Sequence, residues 1–432
     1  MTPKVASVPF VMCLAALGVI APTSTARAEI VSIGDAVTKA RVHGFEVMAA
    51  KARVRGAEAD VRSAGALPNP TLAIAPARRV DCWGRACEAP WGAFVTLSDE
   101  GLLEGAISRK RALREEVAGH ALDAARWDAR DVERLLVAQT KIQYVRAAAA
   151  TVRVDFARTV ARSLERTAAI DRVRYPKVID EAQLARVENE AMRATQDFAR
   201  AEGTARQERI ELAYLLGDVP AGAVDLEADP NVLKFRVPEV VANVDREALE
   251  RVALERPDRR AAEAEVQKGD ASVREASRSR VPDIAFVASY QQLGTGLDAA
   301  QPPTVSIGIS LPLPIFDRKV GPIAHAEAER EAAVVGRRRV EARIAADVAA
   351  AWEAYVTSRS IVERYESTML ARASKARDIT EVQYNAGATT LTDFLDAQRT
   401  WVQVNGDYTR ELVDYWTALV LLERAVGTEI VR

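Results

Sequence analysis

Hydrophobic positions along this chain follow two different periods, and the changes between them divide it into elements. One stretch places Ile344, Val348, Ala351, Tyr355, Ser358, Val362, Tyr365 and Met369 at alternating steps of four and three, and an earlier one does the same through Leu135, Ala138, Ile142, Val145, Ala149, Val152, Phe156 and Thr159. That spacing holds one stripe on one side of a helix and predicts seams that pack against neighbouring helices. The clearest seam is the last, running Phe394, Trp401, Tyr408, Leu412, Tyr415, Leu419, Leu422 and Val426. Elsewhere the period falls to two. Ile284, Phe286, Ala288 and Tyr290 interleave with Asp283, Ala285, Val287 and Ser289; after a Gly- and Pro-containing loop, Val305, Ile307, Ile309 and Leu311 interleave with Ser306, Gly308 and Ser310. This alternation predicts two strands, apolar on one face and small or polar on the other. A weaker pair comes earlier, with Leu72 and Ile74, then Ala93, Val95 and Leu97 against Phe94, Thr96 and Ser98.

The same plan is written twice. Val54, Arg62, Ala64 and Pro70 recur without a gap as Val266, Arg274, Ala276 and Pro282, an offset of 212, and the last seam has a counterpart at an offset of 210 through Leu184, Phe198, Leu212 and Leu216. Such a repeat is sought before any fold is assigned. It predicts two helix-hairpin-helix units, residues 29–217 and 244–432, separated at 218–243 by a linker or small equatorial element containing Pro220, Pro230 and Pro238. The helix from Val320 to Tyr384 would be about 100 Å long at 1.5 Å per residue, more than a globular core can bury. The expected fold is therefore mainly α, long coiled-coil helices with four β-strands per chain.

Composition and the chain ends narrow the compartment. Lys4, an apolar stretch from Val8 to Ile20 and Ala26-Arg27-Ala28 read as an export signal cleaved between Ala28 and Glu29, so that residues 1–28 are lost. The apolar run is shorter than the ~18–20 residues needed to span a bilayer, and nothing after it approaches a transmembrane helix. Any later membrane contact must be made by strands, because only helices and closed barrels satisfy the backbone in lipid. A formal charge of −2, more negative once Lys4 and Arg27 are removed, offers no basis for nucleic-acid binding. Beyond the signal only Cys82 and Cys87 remain, with Gly, Trp and Pro around them. In an oxidising compartment the pair reads as a small disulfide pinning a loop; the rival is a metal site, although no His lies nearby. His43, His120 and His325 are scattered, so no metal ligand set, cofactor site or catalytic motif is expected, and an enzyme is disfavoured.

Four strands cannot close a barrel, and their free edges would be intolerable in lipid. Three copies would supply twelve, an even antiparallel count within the range of outer-membrane barrels. With that architecture the chain resembles the TolC-type outer-membrane efflux family over essentially its whole mature length. The resemblance is carried by Arg256-Pro-Asp-Arg-Arg-Ala-Ala-Glu-Ala-Glu-Val266, by Ser306-Ile-Gly-Ile-Ser-Leu-Pro-Leu-Pro-Ile-Phe-Asp-Arg318, and by Tyr384-Asn-Ala-Gly387 through Asp393-Phe-Leu-Asp-Ala397. It implies a homotrimer in outer-membrane lipid with a helical periplasmic tunnel. It also implies docking to a periplasmic adaptor protein and an inner-membrane pump of the resistance-nodulation-division type. The segment Pro312 to Glu329 is most similar to the branch that exports cobalt, zinc, cadmium and nickel ions. Multidrug efflux or type I protein secretion on the same fold is the nearest alternative; a periplasmic adaptor or purely structural coiled coil is a remoter one.

Asp393 and Asp396 are one turn apart at the start of the last helix, and a three-fold axis would repeat them as two rings of carboxylates that attract cations. The resemblance implies that aspartates at these positions narrow the periplasmic entrance and that Tyr384 belongs to the bonds that keep it shut. The rival reading makes the aspartates simple helix-start charges favoured by the dipole. This chain departs from the best-known pattern at Thr389, where an arginine is usual, at Pro176 in the earlier turn, and at Gln183, the counterpart of Asp393. Its closing bonds are expected to differ accordingly.

Overall fold

The computed structural model describes residues 29–78, 91–101, 108–217, 226–242, 245–293 and 302–431. The expected signal with its Ala28–Glu29 cleavage point, and the Cys82/Cys87 pair, involve residues outside this set.

Strand β1 (Glu29–Val31) leads into α1 (Ile33–His43) and α2 (Phe45–Ala64), then the hairpin β2 (Thr71–Arg78) and β3 (Trp91–Asp99). Two long helices follow, α3 (Lys110–Arg174) and α4 (Glu181–Leu215), and then β4 (Leu226–Ala228), a 3₁₀ turn at Pro230–Leu233 and α5 (Glu239–Ala242). Next come α6 (Arg246–Ala253), α7 (Pro257–Arg278) and the hairpin β5 (Ala285–Leu293) and β6 (Thr304–Ser310). The chain ends with α8 (Val320–Arg364), a π-turn at Tyr365–Met369, α9 (Leu370–Asn385) and α10 (Leu391–Val426). Among the described residues no helix is long and apolar enough to cross a membrane.

α3 alone has 65 residues, a rod of about 100 Å. It and α8 are entered in the same way. Arg109 and Lys319, each just before the helix, hold φ of 53° and 59°, the left-handed region that non-glycine residues seldom adopt. Those turns send the chain from the sheet into the shaft, and Lys110 Nζ to Asp283 Oδ2 (2.7 Å) and Arg278 Nε to the Ser108 carbonyl (2.6 Å) brace the junction.

The two hairpins join into one antiparallel sheet in the order β2-β3-β5-β6, with Ser98 opposite both Thr71 and Val287, and Val287 opposite Gly308. This register puts Leu72, Ile74, Val95, Leu97, Phe286, Tyr290, Val305, Ile307 and Ile309 on one face. Thr71, Thr96, Ser98, Ser289 and Ser306 share the other, where the Ser289 and Ser306 hydroxyls bond at 2.6 Å.

The main core lies midway along the shaft, at a waist where α3, α8 and α10 meet the chain ends. The last seam packs as predicted in its second half, with Leu412, Tyr415, Leu419, Leu422 and Val426 all buried. The Tyr144 hydroxyl donates to the Val31 carbonyl (2.8 Å) and accepts from the Asp229 N–H (2.9 Å), pinning the parallel pair β1–β4 to α3. Lys141, almost wholly buried, donates to Glu423 Oε1 (2.6 Å) and to the Val431 carbonyl (2.5 Å). Glu423 Oε2 in turn accepts the N–H groups of Ile430 and Val431 at 3.0 and 2.7 Å. Arg256 is similarly enclosed by Asp258, by Asp347 at 3.5 Å and by the Ala425 carbonyl at 3.1 Å, beneath Gly427, which ends α10 at φ 82°. Each buried charge thus has a partner, the condition for tolerating it in a core.

One expectation needs correction. The segment from Val320 to Tyr384 is not a uniform α-helix: a π-turn interrupts it at Tyr365–Met369. The seam residues Ile344, Val348, Ala351, Tyr355, Ser358 and Val362 are buried, whereas Met369 is exposed. The widened turn shifts the stripe away from the seam, and Tyr408 on α10 reaches across to bond Glu366 at 2.6 Å. In the earlier seam Leu135 and Thr159 likewise face outward, while Lys141 and Tyr144, off the predicted stripe, are buried.

Candidate functional site

The far end of the shaft is made by two helical turns, α3 to α4 and α9 to α10. α9 stops because Gly387 adopts φ 74°, and the N–H groups of Gly387 and Ala388 bond back to the carbonyls of Tyr384 (3.0 Å) and Gln383 (2.8 Å). The space around Gly387 is open, so its requirement is conformational rather than steric. α10 then starts with a capping box: the Asp393 N–H bonds the Thr390 hydroxyl at 3.2 Å, while the Asp393 carboxylate accepts from the Thr390 hydroxyl (2.6 Å) and N–H (3.3 Å). On the opposite turn Asp180 caps α4 through the Gln183 N–H at 2.7 Å.

Asp393 and Asp396 both lie on the exposed side of α10, but they point along different bonds. Asp393 also accepts from the Thr389 hydroxyl at 3.0 Å, and these hydroxyls, Thr390 foremost, hold its carboxyl below the usual carboxylate range. Thr389 therefore spends its side chain on this cap. Asp396 faces Arg399 at 3.6 Å, and Arg399 is already forked onto Glu190 of α4 through bonds of 3.0 and 3.1 Å. The hydrogen bond from Arg399 is also what pulls the Glu190 carboxyl down.

Tyr384 is buried and lies flat on Phe394, ring centres 5.4 Å apart and planes 7° apart. Its hydroxyl donates to Asp171 Oδ2 at 2.6 Å, a carboxylate with no exposed surface. Burial, followed by this bond, drives the phenol pKa well above its ordinary value. Arg174 completes the cluster, facing Asp171 at 3.5 Å, lying over the Tyr384 ring and donating to the Asn385 carbonyl at 2.8 Å. The cluster ties the end of α3 to the end of α9 within one chain. Sequence reasoning named Tyr384 and missed Asp171 and Arg174, although the offset of 210 that pairs Leu184 with Phe394 also pairs Arg174 with Tyr384. Among the described residues no group of three or more His, Cys, Asp or Glu is placed to hold a metal ion.

At the opposite end, no described residue covers the apolar face of the sheet. Val305, Ile307 and Ile309 are each about 70% exposed, and Leu72, Ile74, Leu97 and Tyr290 are exposed beside them. A contiguous apolar face of this kind marks a surface suited to lipid or protein.

Comparison with known proteins fits this geometry. Residues 248–428 match the family described as outer membrane efflux protein. The cobalt-zinc-cadmium resistance protein CzcC of Cupriavidus metallidurans is 25% identical over 68% of this chain and 65% of its own length. The pyoverdine export outer membrane protein OpmQ of Pseudomonas aeruginosa is 27% identical over 46% of this chain and 41% of its own. The matched part of the chain thus spans less than two thirds of each of these relatives. The crystal structure of the Campylobacter jejuni CmeC outer membrane channel superposes with a TM-score of 0.77, covering 91% of this chain and 85% of that one at 16% identity.

Proposed function

We propose, from the premise that this chain belongs to the outer membrane efflux protein family, that it is the outer-membrane channel subunit of a tripartite efflux system. The observation that carries the reading is the pairing of an uncovered apolar sheet face with helices of 65 and 45 residues behind it. A face of that kind suits the lipid side of a barrel, and the Thr- and Ser-bearing face suits a water-filled lumen. Three copies close the sheet at twelve strands, and their helices continue the wall through the periplasm toward an adaptor and a proton-driven pump. In this reading the two halves, 29–217 and 244–432, contribute one hairpin each to the barrel, and 218–243 belongs to the waist.

The cargo we infer is divalent heavy-metal cations, because CzcC is a metal-resistance protein and the two carboxylates per chain at the shaft end would present negative rings on a three-fold axis. Tyr384, Asp393 and Asp396 are then residues of the periplasmic entrance, with Asp171 and Arg174 as partners in holding it closed. OpmQ favours a second reading, export of an organic molecule by the same channel. Growth of a deletion strain decides between them. Sensitisation to cobalt, zinc, cadmium or nickel, reversed by the intact gene, supports the metal reading; sensitisation to dyes and antibiotics alone overturns it. Recovery of the protein outside the outer-membrane fraction would overturn the channel itself.

A further inference from the structure

The links between sheet and shaft carry arginines that no carboxylate answers. Arg109, Arg280 and Arg318, on the links β3–α3, α7–β5 and β6–α8, are all exposed, and none bonds a carboxylate among the described residues. Asp283 and Asp317 are taken up by Lys110 and by Lys319 (2.6 Å), Asp99 accepts the Gly101 N–H at 2.8 Å, and the first turns of α3 and α8 hold no acidic residue. Glu100, just after β3, is the carboxylate left to oppose them. The three arginines lie at one level. Bonds between antiparallel helices, Glu263–Arg337 (2.9 Å) and Asp270–Arg330, match each residue up α7 with one back along α8; continued upward, they bring Arg280 level with Val320. Arg274–Glu116 (2.6 Å) does the same for α3, bringing Arg280 level with Lys110.

The same collar carries an apolar segment. Leu311, Leu313, Ile315 and Phe316 are exposed, Phe316 by 98%, and Leu311 and Leu313 prolong the apolar stripe of β6. We infer that the collar is a headgroup seat for anionic phospholipid: Arg109, Arg280 and Arg318 bind lipid phosphates while the segment from Leu311 to Phe316 enters the acyl layer beside them. The inference rests on the channel reading above and adds to it a preference among lipids.

Depth and charge both favour that occupant. β3 and β5 have nine residues each. At ~3.4 Å per residue and a tilt of ~40° they rise about 23 Å, near the ~25 Å apolar band of outer-membrane barrels. The links beyond their shaft-side ends therefore fall in the polar headgroup layer, about 5–7 Å thick on each side. A guanidinium there can fork onto phosphate oxygens while its stem lies on apolar surface. A soluble acidic partner would leave Phe316 in water, and a zwitterionic headgroup brings its own ammonium to compete for the phosphate. The pairing of an apolar segment with unanswered arginines selects a molecule that is apolar at one end and negative at the other.

The test is competition between lipids. The full chain, immobilised in mild detergent, is equilibrated with micelles carrying equal phosphatidylglycerol and phosphatidylcholine of the same acyl chains, and retained lipid is measured by mass spectrometry. Each basic residue near a negative lipid surface is worth about fivefold, so phosphatidylglycerol should be retained at least about tenfold over phosphatidylcholine. Arg109→Gln/Arg280→Gln/Arg318→Gln should abolish the preference, Phe316→Ser should lower retention of both lipids alike, and high salt should shrink the preference in the unaltered chain. Equal retention by the unaltered chain, or a preference that survives the triple variant, would overturn the inference while leaving the channel intact. Should the triple variant not assemble, the unaltered chain decides: a preference unmoved by high salt overturns the inference. Displacement of phosphatidylglycerol by excess inorganic phosphate would mark a site for the free anion and overturn the lipid assignment. Recovery of the chain outside the outer-membrane fraction would instead remove the channel reading on which the inference rests.

Discussion

At the waist, α3 and α10 are joined by a buried ammonium whose partners are all in place, Glu423 on one side and the Val431 carbonyl on another, inside a core that includes Trp416, Tyr415 and Tyr355. At the turn end the same shaft is held by a smaller cluster around Tyr384 and Phe394, whose polar bonds are Tyr384 to Asp171 and Arg174 to the Asn385 carbonyl. The carboxylates outside that cluster, Asp393 and Asp396, bond within their own helix start or to an arginine already engaged elsewhere. The contrast teaches that the shaft is held more firmly at the waist than at its turn end. Opening the waist would strand Lys141, Glu423 and Arg256 and part the larger core; opening the turn end would strand Asp171 alone and part the smaller one. Low local stability is where moving parts are found.

The largest effect is expected at the waist. Lys141→Met or Glu423→Ala should each cost about 3–5 kcal/mol, because either leaves an uncompensated buried charge. Urea unfolding followed by far-ultraviolet circular dichroism measures it. The double variant Lys141→Met/Glu423→Leu should recover only part, since Glu423 also holds the Ile430 and Val431 amides. A single-variant loss below 1 kcal/mol would show that the waist is no firmer than the turn end.

Tyr384→Phe comes next. It keeps the stack on Phe394 and removes one hydrogen bond to a buried carboxylate, a local cost of about 1.5–3 kcal/mol. Trypsin cleavage after Arg174 or Lys177 should quicken by about tenfold or more, since each 1.4 kcal/mol is tenfold in the opened population, with a urea midpoint shifted less than in the Lys141 variants. Unchanged cleavage would mean that other bonds hold the turns together.

Smaller effects separate the two aspartates. Asp393→Ala removes the carboxylate half of the capping box and should lower stability by more than Asp396→Ala, which breaks an exposed pair and should fall within about 0.5 kcal/mol. Replaced together they should lower the cation selectivity of single channels in planar bilayers, with trimers intact because the apolar seam is untouched. Wild-type selectivity in that double variant would leave Asp393 a helix-start charge and nothing more.

The smallest effect is in pH. The Asp393 carboxyl sits below its ordinary range because of the Thr390 and Thr389 hydroxyls, so its contribution is present above about pH 4 and lost as pH falls through the lowered value. Wild type and Asp393→Ala should therefore differ in helix content at pH 7 and converge as pH falls through the lowered value. A difference that grows on acidification would reverse the assigned sign.

Much of this could be read along the chain, and the particular residues show why. The strands Phe286 to Tyr290 and Val305 to Ile309 announce themselves because alternation is local, needing only neighbours in sequence. Thr390-Leu-Thr-Asp393 has the spacing of a capping box, and the structure forms one. Asp171 gave no such signal. Its partner Tyr384 lies 213 positions away, and no periodicity on α3 distinguishes it from the other carboxylates there. Lys141 escaped for the same reason, being a charge at a position that composition assigns to the surface, made tolerable by Glu423 and by a carbonyl near the chain end.

What the sequence determined by itself was the larger elements: the long helices and the two hairpins, which of their faces are apolar, and that strands rather than helices carry the membrane-suited surface. Those follow from i to i+2 and i to i+4 relations that every segment contains within itself. Only the tertiary structure decided that the two hairpins meet through β3 and β5, that the seam after Val362 is broken by a π-turn, and that Asp171, Arg174 and Tyr384 converge. The physical reason is range: such contacts depend on how helices of about 50 to 100 Å come to lie beside one another, and small differences in turn geometry at their ends select which side chains meet across them.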